Sequence, residues 1–307
     1  MDYELAIIGA GPAGYSAGIY AVRAGIKTVL FERGNGGGTA AIAPNIENYA
    51  GFQSITGAEL MEKMKKHAEQ YVSIHEYEEI VDINKQDDRF VLTTSEDKTY
   101  QVGAVVIATG TEHRKLDAKG IQKFEGRGVS YCATCDGFFF KDKVACVVGG
   151  GNSALIESIY LKQIGCKHVY LIHRRNQLRA EEAYETDAKN AGVEFILDHV
   201  VDEVKGDQVL DTIVLKHVKT GESKTIKTDG LFVSIGVIPQ NELAKKLGVE
   251  LNEWEYIKVD CQMRTSVPGV YAAGDITGGL RQVITAAAEG ANAALTSTEA
   301  LGKQYPY

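Results

Sequence analysis

One plan occurs twice in this chain, and it constrains the fold more than any other feature. ELAIIGAGPAGYSAGIYAVRAG (4–25) and KVACVVGGGNSALIESIYLKQIG (143–165) each pass from a short apolar strand through a glycine-rich turn into a helix. In both, the helix has small residues on its first turns and a glycine at its end. Each is followed by a second strand, KTVLFE (27–32) and HVYLIH (168–173), and later by alternating segments that read as antiparallel hairpins, RFVLTTSEDKTYQ and TIVLKHVKTGESKTIK. Each half closes on an apolar strand ending at glycine, AVVIATG (104–110) and GLFVSIG (230–236). The pattern predicts an α/β protein of two similar three-layer units.

At 307 residues the chain is comfortable for two domains, since domains cluster near roughly 100 to 150 residues. The last stretch begins with another strand and turn, YAAGDITGG (271–279), and runs into an Ala-rich helix. It is too small for a third domain and is expected to return to the first. The expected boundaries are 1–115 and 243–307 for one domain, with 116–242 inserted. The two crossings, near 111–117 and 238–245, lie where a hinge is expected.

A net charge of −8 argues against a nucleic-acid partner, whose footprint is a basic patch. The first residues lack a basic stretch followed by an apolar core, and no run of about 18 apolar residues occurs, so a membrane span is not expected and a cytoplasmic location is.

The turn Gly9-Ala10-Gly11-Pro12-Ala13-Gly14 sits between strand and helix, as a dinucleotide site requires: glycines let a pyrophosphate approach backbone N–H groups at the helix start. The alternative is a merely tight turn. The second copy, Gly149-Gly150-Gly151-Asn152-Ser153-Ala154, has Ala in the third glycine's place. The two sites differ about twenty residues further on, where a ribose is expected. The first has Glu32, an acceptor for ribose hydroxyls; the second has His173-Arg174-Arg175 and then Arg179. Guanidinium groups match the charge and geometry of a 2′-phosphate that an acid would repel, which predicts NADPH there. A solvated basic cluster is the alternative. Two dinucleotide sites in one chain point to electron transfer between cofactors. The first, with Gly36-Gly37-Gly38 and Gly274-Asp275, suits a tightly held FAD. The expected fold class is therefore α/β with two Rossmann-like FAD/NAD(P)-binding domains, the second inserted in the first.

Cys132 and Cys135 are spaced as CxxC among five scattered cysteines. Half of a zinc site lacks the second CxxC that a four-ligand structural centre would use. An inert buried pair is a second reading. In a reducing compartment the spacing favours a dithiol/disulfide couple. Asp136, next to the second sulfur, is placed to relay a proton, or else is a turn residue before Gly137.

GAGPAG, YCATCDGFFF, GGGNSA, HRRNQLRA and YAAGDITGG, in this order and spacing, together resemble the low-molecular-weight thioredoxin reductases of bacteria and archaea. The resemblance covers essentially the whole chain and implies a homodimer that passes hydride from NADPH to FAD. It further implies that reduced flavin opens a Cys132–Cys135 disulfide and that the dithiol reduces thioredoxin. Cys135 would face the flavin, Cys132 would attack thioredoxin, and Asp136 would act as acid and base, with the domains rotating between half-reactions. The FAD pattern maps onto Gly9, Gly11, Pro12, Ala13, Gly14, Phe31, Glu32, Arg33, Gly36, Gly37, Gly38, Asn48, Ile80, Ala108, Thr109, Gly110, Gly274, Asp275, Arg281, Gln282 and Val283. The NADPH pattern maps onto Gly151, Asn152, Ser153, Ala154, His173, Arg174, Arg175, Arg179, Ile235 and Gly236. Thr39 departs from it, standing where the family commonly has Gln and removing a side-chain amide beside the flavin. An enzyme fed by ferredoxin or a deazaflavin is the competing reading, against which the arginines speak. A nucleotide-sensing or zinc-binding regulatory module is a third.

Overall fold

The computed structural model describes residues 2–43 and 45–304. They form two compact units, Met1–Glu112 with Pro239–Tyr307, and His113–Ile238. The chain thus crosses between units at 112/113 and 238/239, against the 115/116 and 242/243 expected from sequence.

In the first unit five parallel strands lie in the order Val270–Ala272, Ala104–Ile107, Leu5–Ile8, Thr28–Phe31, Ser73–His75. Leu5 stands opposite both Thr28 and Ala104. The central strands are buried along their whole length, which is why they read as unbroken apolar runs: both faces of a parallel sheet are covered. On one face Leu5, Ile7 and Leu30 pack with Tyr15 and Ala17 of helix Pro12–Arg23 and with Ala293 and Ala294 of helix Val283–Ala300. On the other, Ile8, Val29 and Phe31 meet Phe90 and Leu92 of a three-stranded antiparallel sheet, Ile80–Gln86, Arg89–Thr94 and Thr99–Val102.

The inserted unit repeats the layers. Its parallel order is Glu194–Ile196, His168–Ile172, Val144–Gly149, Gly230–Ser234, Val129–Ser130. Successive side chains of Val144–Gly149 alternate between faces. Ala145 and Val147 join Leu155 and Leu161 of helix Asn152–Gln163, while Cys146 and Val148 join Val201, Ile213 and Leu215 of the antiparallel layer. That layer is His199–Gly206, Leu210–His217 and Ser223–Lys227. In both units the glycine turns lie at the carboxyl ends of the parallel strands, the position where open α/β sheets bind ligands. No helix among the described residues is long and apolar enough to cross a membrane.

Candidate nucleotide and disulfide sites

In the first unit, Gly9 has φ +108°, and a Cβ there would stand 2.3 Å from the Ala108 carbonyl oxygen. Only glycine lets the turn pass so close to the neighbouring strand end. Gly11 is the opposite case, since a Cβ added there would meet nothing within 4 Å. It is the N-cap of helix Pro12–Arg23 with no side chain capping it, so the space beside Gly11 faces the electropositive helix start. Pro12 at the first helical position lacks an N–H that would be unpaired anyway.

Glu32 is held against this turn: one carboxylate oxygen accepts from Ala10 N and the other from Gly34 N, each at 2.8 Å. Gly36, Gly37 and Gly38 are successive left-handed residues, and Gly37 N donates to Ala10 O at 2.6 Å, closing this loop over the first. Thr39 follows, half-buried, in the short helical turn Gly38–Ile42. Arg33 is ion-paired with Glu112. Asn48 Nδ2 donates to Gln282 Oε1 at 2.9 Å, and Thr109 Oγ1 to Gln240 O at 2.7 Å beside left-handed Gly110. Ile80 is buried in the same cluster as Phe31.

Gly274 N donates to Glu289 Oε2 at 2.8 Å, which fixes the turn carrying Asp275. Burial pushes the Asp275 carboxyl up; Arg281 pulls it down and Glu289 pushes it up. Helix Val283–Ala300 then starts from Gln282 with a capping box to Thr285. Residues 9–14, 32, 36–38, 108 and 274 thus form one cluster, since a Cβ on Gly274 would stand 3.0 Å from Ala13 Cβ. Sequence reasoning missed Glu289, an acid on an Ala-rich helix with no local signal of its role.

The second turn follows the same logic with a different rim. A Cβ on Gly151 would meet nothing within 4 Å, and Gly151 caps helix Asn152–Gln163 without a side-chain bond. Ser153 and buried Ala154 lie in that helix's first turn. A Cβ on Gly150 would stand 2.2 Å from the His173 imidazole, so the ring lies directly on the turn. Burial lowers the affinity of His173 for a proton, as do Arg179 and Arg175, and its Nε2 has no hydrogen-bond partner among the described residues. Arg179 N donates to Gly150 O at 2.7 Å. Glu181 clamps the helix start: its N–H reaches Asn152 Oδ1 at 2.9 Å and its carboxylate accepts from Asn152 Nδ2 at 2.7 Å. Sequence reasoning assigned Glu181 no role in this site. Exposed Arg174, Arg175 and Arg179 line an open cavity of about 380 Å³ and form no ion pair among the described residues. Ile235 and left-handed Gly236 follow the strand Gly230–Ser234, and Gly236 O accepts from Arg114 N at 3.1 Å.

Cys132 and Cys135 are joined in a disulfide, with their Cα atoms 5.3 Å apart. Extended Cys132 caps the single turn Ala133–Asp136, and Cys135 N donates to Cys132 Sγ at 3.2 Å, a contact that favours a thiolate at that sulfur. Thr134 Oγ1 lies 3.3 Å from the same sulfur. Buried Asp136 accepts from Ser130 Oγ at 2.6 Å. Burial pushes its carboxyl up and the Ser130 bond pulls it down. Phe138 and Phe139 beside the pair are exposed. The other buried thiols are poor nucleophiles, pushed by burial to about 12 at Cys146 and about 11 at Cys166. Among the described residues no cluster of three His, Cys, Asp or Glu is placed to hold a metal.

The pattern of the pyridine nucleotide-disulphide oxidoreductases matches residues 3–290. A thioredoxin reductase of Listeria innocua is 41% identical over 291 residues, covering 94% of this chain and 90% of its own. The crystal structure of thioredoxin reductase from Streptococcus pyogenes superposes with a TM-score of 0.92 at 38% identity, covering 98% of each chain. Thioredoxin reductase from Giardia duodenalis gives 0.92 at 36%, over 98% of this chain and 99% of that one. The chain belongs to the low-molecular-weight thioredoxin reductases of this oxidoreductase family. The family depends on FAD and NADPH. Its two cofactors fit the residues present: each glycine turn leaves open space at an uncapped helix start, one beside an acid and the other beside three unpaired arginines.

Proposed function

We propose that this chain is an NADPH-dependent thioredoxin-disulfide reductase. The observation that carries the reading is a half-buried Cys132–Cys135 disulfide beside buried Asp136, whose carboxyl burial pushes up, in the unit that also holds the arginine-lined cavity. When bound, NADPH supplies hydride and FAD relays the electron pair toward the disulfide. The Gly9–Gly14 turn and Glu32 hold the pyrophosphate and ribose of the flavin nucleotide, and Asp275 accepts from its sugar chain. Arg174, Arg175 and Arg179 hold the 2′-phosphate of the nicotinamide nucleotide, and Gly151 to Ala154 its pyrophosphate.

Two electrons and two protons convert the disulfide into a dithiol. The Cys132 thiolate then attacks one sulfur of the thioredoxin disulfide, and the displaced sulfur takes up a proton. Cys135 attacks Cys132 in the mixed disulfide, restoring the starting bond and releasing the second thioredoxin sulfur, which is protonated in turn. Two protons leave the dithiol and two reach thioredoxin, so Asp136, lending and recovering one, ends unchanged. The order of the two sulfurs rests on the family resemblance, as do a homodimer, a cytoplasmic location and rotation of the units about their two connections.

Stopped-flow absorbance of the FAD-loaded protein tests the reading. NADPH is expected to bleach the flavin much faster than NADH, and oxidised thioredoxin to restore it. Bleaching by neither nucleotide would reject it in favour of another electron donor.

A further inference from the structure

Ser130 is the second residue of the buried strand Val129–Ser130, and its hydroxyl stands at the centre of the disulfide turn. It accepts from Cys132 N at 3.1 Å and stands 2.6 Å from Asp136 Oδ2 and 3.4 Å from Cys132 O. A hydroxyl has one proton, and the shorter contact to a carboxylate takes it. A directed chain results, from Cys132 N–H to Ser130 O–H to Asp136 Oδ2. The other carboxylate oxygen, Oδ1, is buried and has no hydrogen-bond partner among the described residues.

We propose that Ser130 is a positioning residue for disulfide exchange: its hydroxyl fixes Asp136 Oδ2 as the acceptor oxygen, leaves Oδ1 as the oxygen that takes and returns the proton, and ties that carboxylate to the backbone of Cys132. The inference rests on the proposed reductase function and adds to it which oxygen carries the proton and what sets its affinity. No proton is created or lost: one passes from a thiol of the pair to Oδ1, and one leaves Oδ1 for the displaced sulfur of the disulfide substrate.

The surroundings leave the serine in control. Burial and the Ser130 bond are what shift Asp136, and no charged side chain among the described residues takes part. The helix packed against this turn presents Tyr160 and Leu161 and, just past its end, Ile164, all close to Gly137. A hydrogen bond to an ionised carboxylate favours the charged form, so removing it raises the proton affinity. Loss of one such bond corresponds to about one pH unit.

The test is a carboxyl-carbon NMR titration of the dithiothreitol-reduced, FAD-loaded protein labelled at aspartate, with Asp136→Asn assigning the Asp136 resonance. In Ser130→Ala the Asp136 midpoint is expected about one unit higher than in wild type, and in Ser130→Thr, which keeps the hydroxyl, near the wild-type value. Retained flavin and an unchanged far-ultraviolet dichroism spectrum are the controls for folding. The pH profile of thioredoxin reduction is expected to shift upward with the titration in Ser130→Ala alone. An Asp136 titration in Ser130→Ala that superimposes on wild type would overturn the proposal. Failure of the reductase reading is separable, because it shows as no NADPH-driven thioredoxin reduction by the wild-type protein, on which the titration does not depend.

Discussion

Glu32 Oε2 accepts the backbone N–H of Ala10 at 2.8 Å, so the acid that ends the second strand holds the middle of the first glycine turn. Its other oxygen accepts from Gly34 N. The carboxylate proposed to accept from the ribose is therefore also a structural tie. Glu32→Ala strips two N–H groups of a charged acceptor and is expected to lower apoprotein stability by about 2 kcal/mol. The urea midpoint should fall with an unchanged slope, and the purified variant should retain little FAD. Glu32→Gln, with one acceptor oxygen left, should lie between.

The disulfide and the flavin site separate cleanly by substitution. Cys132→Ser and Cys135→Ser leave the residues of the first unit untouched, so both variants should purify yellow. Thioredoxin reduction should fall by on the order of 10⁴-fold in each, because a single sulfur can neither form the redox disulfide nor complete both exchange steps of a turnover. Absorbance at the flavin band and a coupled thioredoxin assay check the two halves.

Arg174, Arg175 and Arg179 carry unpaired charge into an exposed cavity, so their contribution is read as nucleotide choice rather than stability. Substituting any one by Gln should raise the KM for NADPH about tenfold while leaving that for NADH nearly unchanged, since only NADPH has the phosphate. The effect should weaken at high salt, where exposed charges are screened. Steady-state kinetics with both nucleotides at two ionic strengths measures it.

What the chain disclosed in advance was local. Strand, glycine turn and helix are contiguous, so Leu5–Arg23 and Val144–Gln163 were legible, as was the cysteine pair. The first strand of each antiparallel layer was not. Ile80–Gln86 shifts register between Ile80 and Asp82, and His199–Gly206 between Val201 and Glu203, and each bulge breaks the two-residue alternation by which a strand is recognised. Helix Glu182–Asn190 buries only Ala188 and so shows no apolar stripe. Ser130 and Glu289 escaped for a different reason. A hydroxyl or carboxylate acquires its role from a partner placed by the fold, and nothing in SYCATCD or AAAEGAN marks it.

Asp275 carries a cost that pH exposes. Burial raises the affinity of its carboxyl for a proton, Arg281 opposes that and Glu289 adds to it. An unfolded aspartate titrates near about 3.9, so below that value Asp275 is protonated whether the chain is folded or not. As pH rises, the unfolded chain releases the proton first, and the stability tied to the protonated form is lost progressively until the higher folded pKa is passed. At neutral pH the apoprotein therefore holds a half-buried charge beside Glu289 at some expense of stability. Asp275→Asn removes that charge. Its apoprotein should unfold at higher urea than wild type at pH 7, with the difference shrinking as pH is lowered toward about 4. The same variant should bind FAD more weakly, because an amide replaces the carboxylate proposed to accept from its sugar chain. Glu289→Gln removes only the like charge and should show a smaller gain over the same window. Urea melts of the apoproteins between pH 4 and 8, with fluorescence titration of FAD at pH 7, measure both sides of that exchange.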